Sequence, residues 1–318
     1  MLLGTALLEG LGAVILSCRF IPLLGFWQGI WYGIFHAVSA FCNAGFDLMG
    51  VLRPGSSLMI FADDPVVVLT VCALILLGGA GFTVWEDLLH HRFRLGRCSL
   101  HARVVVLLTA LLVTIGTALF LITESGGLLA GLPLSQRLLR ALMLAVSPRT
   151  AGFNSVELTE LSQSGLLVTM LLMFVGAAPG STGGGLKITT AAAVLCAVFA
   201  RMRGSSDANL LNRRVSPDQV KQALCSTMWY LLLVTAGVFL LSLDGGAFPL
   251  QDLFFEAFSA LGTVGLSLGV TAGASGFSRL VLIFLMFAGR IGSVTVFLTV
   301  TERPDRRLRN ITEPLILG

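Results

Sequence analysis

The sequence predicts an all-α integral membrane protein, in which a long apolar helix, a short apolar helix and a second long helix recur as a unit. The first observation is composition, because 55% of the 318 residues are hydrophobic and only 12% are charged. A soluble domain carries about 25% charged residues, so this chain has too few polar side chains to cover a water-facing surface. The second observation is a series of apolar runs of about 20 residues, the length that crosses roughly 30 Å of hydrocarbon.

The first unit begins with the apolar run 2–24, which is long enough to span a membrane. No basic region precedes it, so we expect a span there and not a cleaved signal peptide. A shorter apolar stretch at 29–42 leads into the turn Asn43-Ala44-Gly45-Phe46, and a second long run covers 65–89.

Two further units repeat this order of long run, short run, turn and long run. In the second unit they are 104–122, 135–147, Thr150-Ala151-Gly152-Phe153 and 161–200. In the third unit they are 220–243, 250–262, Thr263-Val264-Gly265-Leu266 and 279–301. The turn glycines recur about 110 residues apart, which indicates an internal repeat. We therefore predict units at 1–91, 92–203 and 204–301, followed by a tail at 302–318.

The short stretches cannot cross a bilayer, so we expect re-entrant helices whose turns face water, since irregular backbone at membrane depth is tolerated only there or inside protein. A cation that crosses must exchange its hydration shell for other oxygens, and rings of backbone carbonyls supply them. Glycine gives such a turn its backbone freedom. The alternative is three ordinary helix ends capped by glycine, but the repeated spacing favours an ion-binding filter. The predicted filter residues are Asn43, Ala44, Gly45, Phe46, Thr150, Ala151, Gly152, Phe153, Thr263, Val264, Gly265 and Leu266.

The run 161–200 is interrupted near its middle by a proline and several glycines, which do not sustain a helix. We predict a broken span whose interruption lies at membrane depth and marks a permeation or binding site, and an extramembrane loop between two helices is the alternative. The residues predicted to form this site are Gly180, Ser181, Thr182, Gly183, Gly184, Gly185, Lys187 and Arg290, to which the family resemblance described below assigns gating. Arg290 is included because an arginine inside the last span is costly unless it faces water or a partner. Its alternative is snorkelling to the interface.

Other classes of function are disfavoured. Lys187 does not follow a glycine directly, so the loop fails the phosphate-binding pattern. Gly273-Ala274-Ser275-Gly276 matches an intramembrane serine protease motif, but every histidine precedes it, so we predict no catalytic residue and no enzyme. The six cysteines form no CxxC pair, which gives no metal site, and the basic residues do not indicate nucleic acid binding. His36 is expected to pack on the first short helix.

Basic residues concentrate in the connections between units and in the tail, which predicts that these parts are cytoplasmic. They are Arg92, Arg94, Arg97, Arg103, Arg201, Arg203, Arg213, Arg214, Lys221, Arg303, Arg306, Arg307 and Arg309. The segments around the three turns carry fewer: Arg53, Arg137, Arg140, Arg149 and Arg279.

Several of these segments together resemble the Trk/Ktr/HKT superfamily of potassium transporters, over almost the whole chain. Residues 35–46, 149–154 and 258–267 resemble its second, third and fourth pore helices with their filters, 179–187 resembles its gating loop, and 289–292 resembles the arginine motif of its last span. The resemblance implies potassium uptake through a pseudo-fourfold pore. It also implies a homodimer in the plasma (inner) membrane, a cytoplasmic nucleotide-binding regulatory subunit as partner, and no cofactor beyond potassium as substrate.

Two departures from the superfamily stand out. The superfamily has four units and this sequence matches the second to fourth, so we expect the first unit to be absent and the ion path to need another wall. The alternative is a non-conducting fragment or scaffold that pairs with an intact subunit. In addition, Asp47 follows the first turn, where it would attract cations to an outer mouth.

Overall fold

Helices account for most of the residues that the structure describes. The computed structural model describes residues 2–205, 207–244 and 248–291. The helices in these ranges are α1 Leu2–Leu24, α2 Phe26–Phe41, α3 Pro65–Gly79, α4 Phe82–His90, α5 Leu100–Thr123, α6 Leu134–Val146, α7 Gln163–Phe174, α8 Ile188–Met202, α9 Pro217–Ser242, α10 Leu250–Gly262, α11 Val270–Gly273 and α12 Gly276–Ile291. A short antiparallel pair, β1 Asn209–Leu210 and β2 Arg213–Arg214, joins α8 to α9. The predicted all-α fold is confirmed.

A long helix followed by a short helix recurs three times as the sequence predicts, whereas the second apolar run is divided into two helices in the first and second units. By length and composition α1, α5 and α9 can each cross a membrane, and α3 with α4 is a fourth candidate if that bent pair is one span. The short helices α2, α6 and α10 begin within three residues of the predicted stretches. Of the predicted last span 279–301, only α12 up to Ile291 is described, and the tail 302–318 lies outside the described residues.

Serine side chains start several of these helices. Ser99 accepts a hydrogen bond from the Ala102 amide at the start of α5, and Ser162 accepts one from Gly165 at the start of α7. Ser216 and Gln219 form a capping box at α9. Because such caps satisfy amides that have no partner within the helix, they fix where these apolar helices begin.

The run 65–89 is not one straight span, which corrects the prediction. Helix α3 ends at Gly79, α4 begins at Phe82, and the two are bent by 93°. Gly81 has a φ of +89°, a conformation that favours glycine. The backbone groups freed by the bend contact the interruption between α7 and α8: the Ala178 amide donates to Gly79 at 3.0 Å, and the Phe82 amide donates to Gly180 at 3.2 Å. The bend therefore supplies hydrogen-bond partners to the loop between α7 and α8.

Small residues allow each short helix to lie close against its neighbouring span. On α2, a β-carbon at Gly33 would lie 2.7 Å from the Ser17 amide nitrogen of α1. On α12, a β-carbon at Gly289 would overlap the carbonyl of Leu261 in α10, and one at Gly78 of α3 would overlap the carbonyl of Phe41 in α2. Phe41 and Leu261 each stand two residues before a predicted turn, so the first and third units pack in the same register.

Candidate functional site

Three turns, at 43–46, 150–153 and 263–266, follow the C-terminal ends of α2, α6 and α10; they are called turn 1, turn 2 and turn 3 below. In each, the first residue and the glycine have a positive φ: +50° and +71° in turn 1, +69° and +83° in turn 2, and +53° and +90° in turn 3. The residue between them does not. The repeated backbone shape shows that the three turns are built alike.

The polar first residue, and not the glycine, is the left-handed cap in turns 1 and 3. After Asn43, the Ala44 amide bonds back to Ser39, and after Thr263 the Val264 amide bonds back to Ser259, both at 2.9 Å. A β-branched residue such as Thr150 or Thr263 rarely adopts this conformation, which costs about 1–2 kcal/mol. Strain of this kind is typical of functional segments. The alternative of ordinary glycine caps therefore does not describe these turns.

The turns lie side by side in sequence order. A β-carbon at Gly45 would overlap the Ala151 carbonyl of turn 2, and one at Gly152 would overlap the Val264 carbonyl of turn 3. The Asn43 amide and the Thr150 hydroxyl are 3.2 Å apart. When the amide oxygen accepts from Thr150, the amide nitrogen donates to the carbonyls of Ala40 and Ile75 at 3.2 Å. Gly45 and Gly152 thus permit the backbones of two neighbouring turns to approach.

This arrangement has one open side. A β-carbon at Gly265 of turn 3 would meet nothing within 4 Å among the described residues. In turn 1, Phe46 is 70% exposed, whereas Phe153 and Leu266 are buried at 1% and 3% exposure. Phe153 of turn 2 packs into the core of the first unit, and Leu266 of turn 3 packs into the core of the second unit. Each side chain thus packs against the unit that precedes its own. Among the described residues, the open side therefore lies between turn 3 and turn 1.

In turns 1 and 2, the carbonyl of the fourth residue accepts a hydrogen bond from a serine on or directly after the preceding short helix. The Ser39 hydroxyl donates to the Phe46 carbonyl at 2.7 Å, and the Ser147 hydroxyl donates to the Phe153 carbonyl. These carbonyls are directed at the short helices behind the turns. These hydrogen bonds fix the backbone of Phe46 and Phe153 to the short helices, and the role of both residues in the filter stays a prediction.

The electrostatics at the turns suit a cation. Helices α2, α6 and α10 each present a C-terminal end to a turn, and a helix C-terminus carries about half a negative charge from its unpaired carbonyls. Asp47 is tied locally, because its carboxylate accepts from the Met49 amide at 3.0 Å. The turns thus supply partial negative charge from backbone, without a carboxylate among their own residues.

The loop 175–187 lies against the first residues of all three turns. A β-carbon at Gly183 would meet the Thr150 hydroxyl and the Asn43 amide, and one at Gly184 would meet the Thr263 side chain. The Thr182 hydroxyl donates to the Phe41 carbonyl at the end of α2, at 3.0 Å. Loop and turns are therefore in direct contact at the polar residues that begin each turn.

Two cationic side chains hold this loop. Lys187 donates from Nζ to the Gly183 carbonyl at 2.6 Å. Arg290 of α12 donates to the Thr182 carbonyl at 2.8 Å, which is the contact expected from the sequence. Gly292, which belongs to the same predicted motif, lies outside the described residues. Gly180 has a φ of +69° and Gly185 one of +67°, so the loop also needs glycine for its shape.

Two charged residues near the turns were not singled out from the sequence. Arg149 is 5% exposed and donates to the Thr109 hydroxyl at 3.3 Å, so it is a buried residue behind turn 2. Glu9 of α1 lies with its carboxylate 3.8 Å from the Cys42 sulfur, next to turn 1. A single carboxylate within an apolar run was the available signal for Glu9, because such a charge inside a span is usually functional.

Elsewhere, Asp87, His91 and Cys98 bring one possible metal-ligand atom each within 4.8 Å of one another, at the corner between α4 and α5. The absence of a CxxC pair had indicated no such group. In the structure the Asp87 carboxylate accepts from the Ser99 amide at 2.8 Å and lies 2.9 Å from His91 Nδ1. Since these protein contacts already satisfy the carboxylate, the cluster is explained as a helix cap.

The whole chain was compared with known proteins. The TrkH family model, described as cation transport protein, matches residues 5–310. The potassium/sodium uptake protein NtpJ of Enterococcus hirae is 39% identical, over 96% of this chain and 68% of that protein. The Ktr system potassium uptake protein B of Bacillus subtilis is 35% identical, over 95% of this chain and 67% of that protein.

A solved structure shares the fold. The crystal structure of the potassium transporter TrkH from Vibrio parahaemolyticus superposes with a TM-score of 0.70, at 19% identity, over 94% of this chain and 71% of that chain. The helices that can span a membrane and the family match agree that this is a multi-pass membrane protein. The chain belongs to the TrkH family of cation transport proteins.

Proposed function

We propose that this chain forms most of the wall of a potassium uptake pore, with turns 1 to 3 as its selectivity filter. One observation carries the proposal: three turns of one backbone shape meet side by side at the C-terminal ends of three short helices. Carbonyls fixed in this way replace the hydration shell of a cation. Potassium is the ion named for the NtpJ and Ktr relatives, and sodium is also named for NtpJ.

The second part of the proposal concerns the loop 175–187, which we assign as the gate. It contacts the first residue of each turn, so it lies across the entrance to the filter on the side of Lys187 and Arg290. Two positive charges there repel a cation, and a glycine-rich segment has several backbone states of similar energy. Movement of this loop would open the path.

The third part concerns the open side between Gly265 and Phe46. Another segment, on another part of the pore wall or on a second subunit, would cover exposed Phe46 and approach Gly265 as Ala151 approaches Gly45. A non-conducting scaffold is the competing function, and the open side is the observation that favours it.

We also propose assembly as a homodimer in the plasma membrane, with the basic connections cytoplasmic and a cytoplasmic nucleotide-binding regulatory subunit as partner. The name Ktr system, borne by relatives, supports a pore with further components.

The test is ion uptake by the complete system that carries this chain, expressed in cells that lack their own potassium transporters. Gly152→Ser should weaken selection of potassium over sodium while membrane insertion is retained, because the added side chain overlaps the Val264 carbonyl. Gly126→Ser is the matched control, since Gly126 has no neighbour within 4 Å of a β-carbon. Absence of potassium uptake by the unmodified system would favour the scaffold, and unchanged ion competition in Gly152→Ser would remove turn 2 from the filter.

A further inference from the structure

We propose that His36 and Glu256 are positioning residues, which clamp the chain leaving turn 1 and turn 3 onto the short helix that precedes each turn. The inference rests on the proposed filter and deepens it. It assigns the orientation of the filter carbonyls to two side chains that touch no part of the ion path themselves. Its basis is a shared register in the two units.

His36 of α2 is completely buried, and both of its ring nitrogens are used. Nδ1 is 2.7 Å from the Tyr32 carbonyl, which only accepts, so Nδ1 carries the proton. Nε2 then accepts a hydrogen bond from the Leu48 amide at 3.3 Å. One neutral tautomer satisfies both contacts, and it holds the chain five residues beyond Asn43 against α2.

Glu256 of α10 occupies the equivalent place. It stands seven residues before Thr263, as His36 stands seven before Asn43. Its carboxylate accepts from the Ser267 hydroxyl at 3.0 Å and from the Thr271 hydroxyl, and the Leu268 amide faces it as well. Leu268 is five residues beyond Thr263, as Leu48 is five beyond Asn43. Two chemically different side chains thus connect a short helix to the chain just beyond its turn, His36 through the Leu48 amide and Glu256 through the Ser267 and Thr271 hydroxyls.

Turn 2 shows that this contact is not simply required by the fold. The residue seven before Thr150 is Met143, which is buried and whose sulfur, a weak acceptor, lies 3.5 Å from Cys72 Sγ; the Ser155 hydroxyl five residues beyond Thr150 has no partner among the described residues. The chain leaving turn 2 is held from outside its own unit. The Asn154 amide donates to Ser57 at 3.2 Å, and the Leu58 amide donates to Asn154 at 2.9 Å.

The clamp acts on the turn because it closes a short loop of backbone. In turn 1, the Phe46 carbonyl is tied to Ser39 and the Leu48 amide to His36, so both ends of the exit are fixed to one face of α2. His36 and Ser39 are three positions apart, which places them on the same side of α2. Loss of the His36 contact frees the chain beyond turn 1 from α2. The position of the Gly45 carbonyl along the proposed pore then varies.

The first measurement is amide hydrogen exchange of the complete system in detergent, read on peptides that cover 47–52 and 267–272. His36→Leu removes the acceptor at similar volume and should speed exchange at Leu48 about two- to tenfold, the factor expected from one lost hydrogen bond. His36→Gln keeps an acceptor and should restore protection. Met143→Leu, at the equivalent position of α6, is the control and should change neither peptide.

The second measurement is the ratio of potassium to sodium uptake by the same variants. His36→Leu and Glu256→Leu should lower this ratio at unchanged membrane abundance, and the two Gln variants should recover it. If Glu256→Leu does not fold, Ser267→Ala and Thr271→Val remove its donors one at a time. Unchanged exchange at 47–52 in His36→Leu, or faster exchange with an unchanged ion ratio, would overturn the assignment. Loss of all uptake in the unmodified system would contradict the proposed function instead, while the exchange result still decides the clamp.

Discussion

The three turn glycines are predicted to differ in their tolerance of alanine, although they share one backbone shape. Each has a φ between +71° and +90°, so alanine at any of them costs about 1–2 kcal/mol of backbone strain. At Gly45 and Gly152 the added methyl group also overlaps a backbone carbonyl of the next turn. Overpacking of this kind adds about 1–3 kcal/mol. At Gly265 the methyl group meets no described atom within 4 Å, so strain is the whole cost.

Thermal unfolding of the purified chain in detergent, followed by tryptophan fluorescence, measures this difference. At about 2 °C per kcal/mol for a chain of this size, Gly265→Ala should lower the Tm by roughly 2–4 °C. Gly45→Ala and Gly152→Ala should lower it by about 4–10 °C. Gly126→Ala, in an exposed turn without positive φ, is the control and should leave the Tm nearly unchanged.

The result that would refute this reasoning is a loss at Gly265 as large as that at Gly152. It would mean that some segment already fills the open side, so that the ring of turns is closed in the molecule. A negligible loss at Gly152 would be equally damaging, because the close approach of turns 2 and 3 would then be wrong.

Three further predictions test other parts of the site. Phe153→Ala should lower the free energy of unfolding by about 3–5 kcal/mol because that ring is buried, whereas Phe46→Ala should change it little because Phe46 is exposed; equal losses in denaturation experiments would contradict the packing of turn 1. Arg290→Ala, or deletion of 181–184, should raise potassium flux into vesicles that contain the complete system, with selectivity unchanged, because the Thr182 contact is lost; equal or lower flux from folded protein would remove the gate. Expressed by itself, the chain should insert but support no potassium uptake, and robust uptake would show that three turns suffice.

The helices follow closely from the sequence, because run length and local caps determine them. Helix α10 has the bounds 250–262 expected from its apolar stretch, and α6 is displaced by one residue. The bend between α3 and α4 was not predicted, although Gly78, Gly79 and Gly81 fall there. Glycine alone does not say whether a helix breaks. Here the break is stabilised by Ala178 and Gly180, about 100 residues away, and such a contact depends on tertiary packing.

The composition of the turns was predicted, but their strain was not. A sequence pattern of polar, small, glycine and large residues places the left-handed conformation at glycine by default. The structure also requires it at Asn43, Thr150 and Thr263. Threonine in this conformation is strained, and the hydroxyls of Thr150 and Thr263 both lie against the loop 175–187. The contact between each turn and the loop, which depends on tertiary structure, explains why a polar residue stands at these strained positions.

On the proposed gating mechanism, the contacts of the loop also set the scale of any regulation. Displacement of 180–184 breaks the hydrogen bonds of Thr182 to Phe41, of Arg290 to Thr182, of Lys187 to Gly183 and of Phe82 to Gly180. At about 0.5–1.5 kcal/mol for each bond in exchange with water, the closed loop is favoured by roughly 2–6 kcal/mol. The proposed regulatory partner would need about 5.5 kcal/mol of differential binding to move such a gate from almost always closed to almost always open. Because the two energies are similar, no single contact of this loop need be strong for the gate to stay closed until a partner binds.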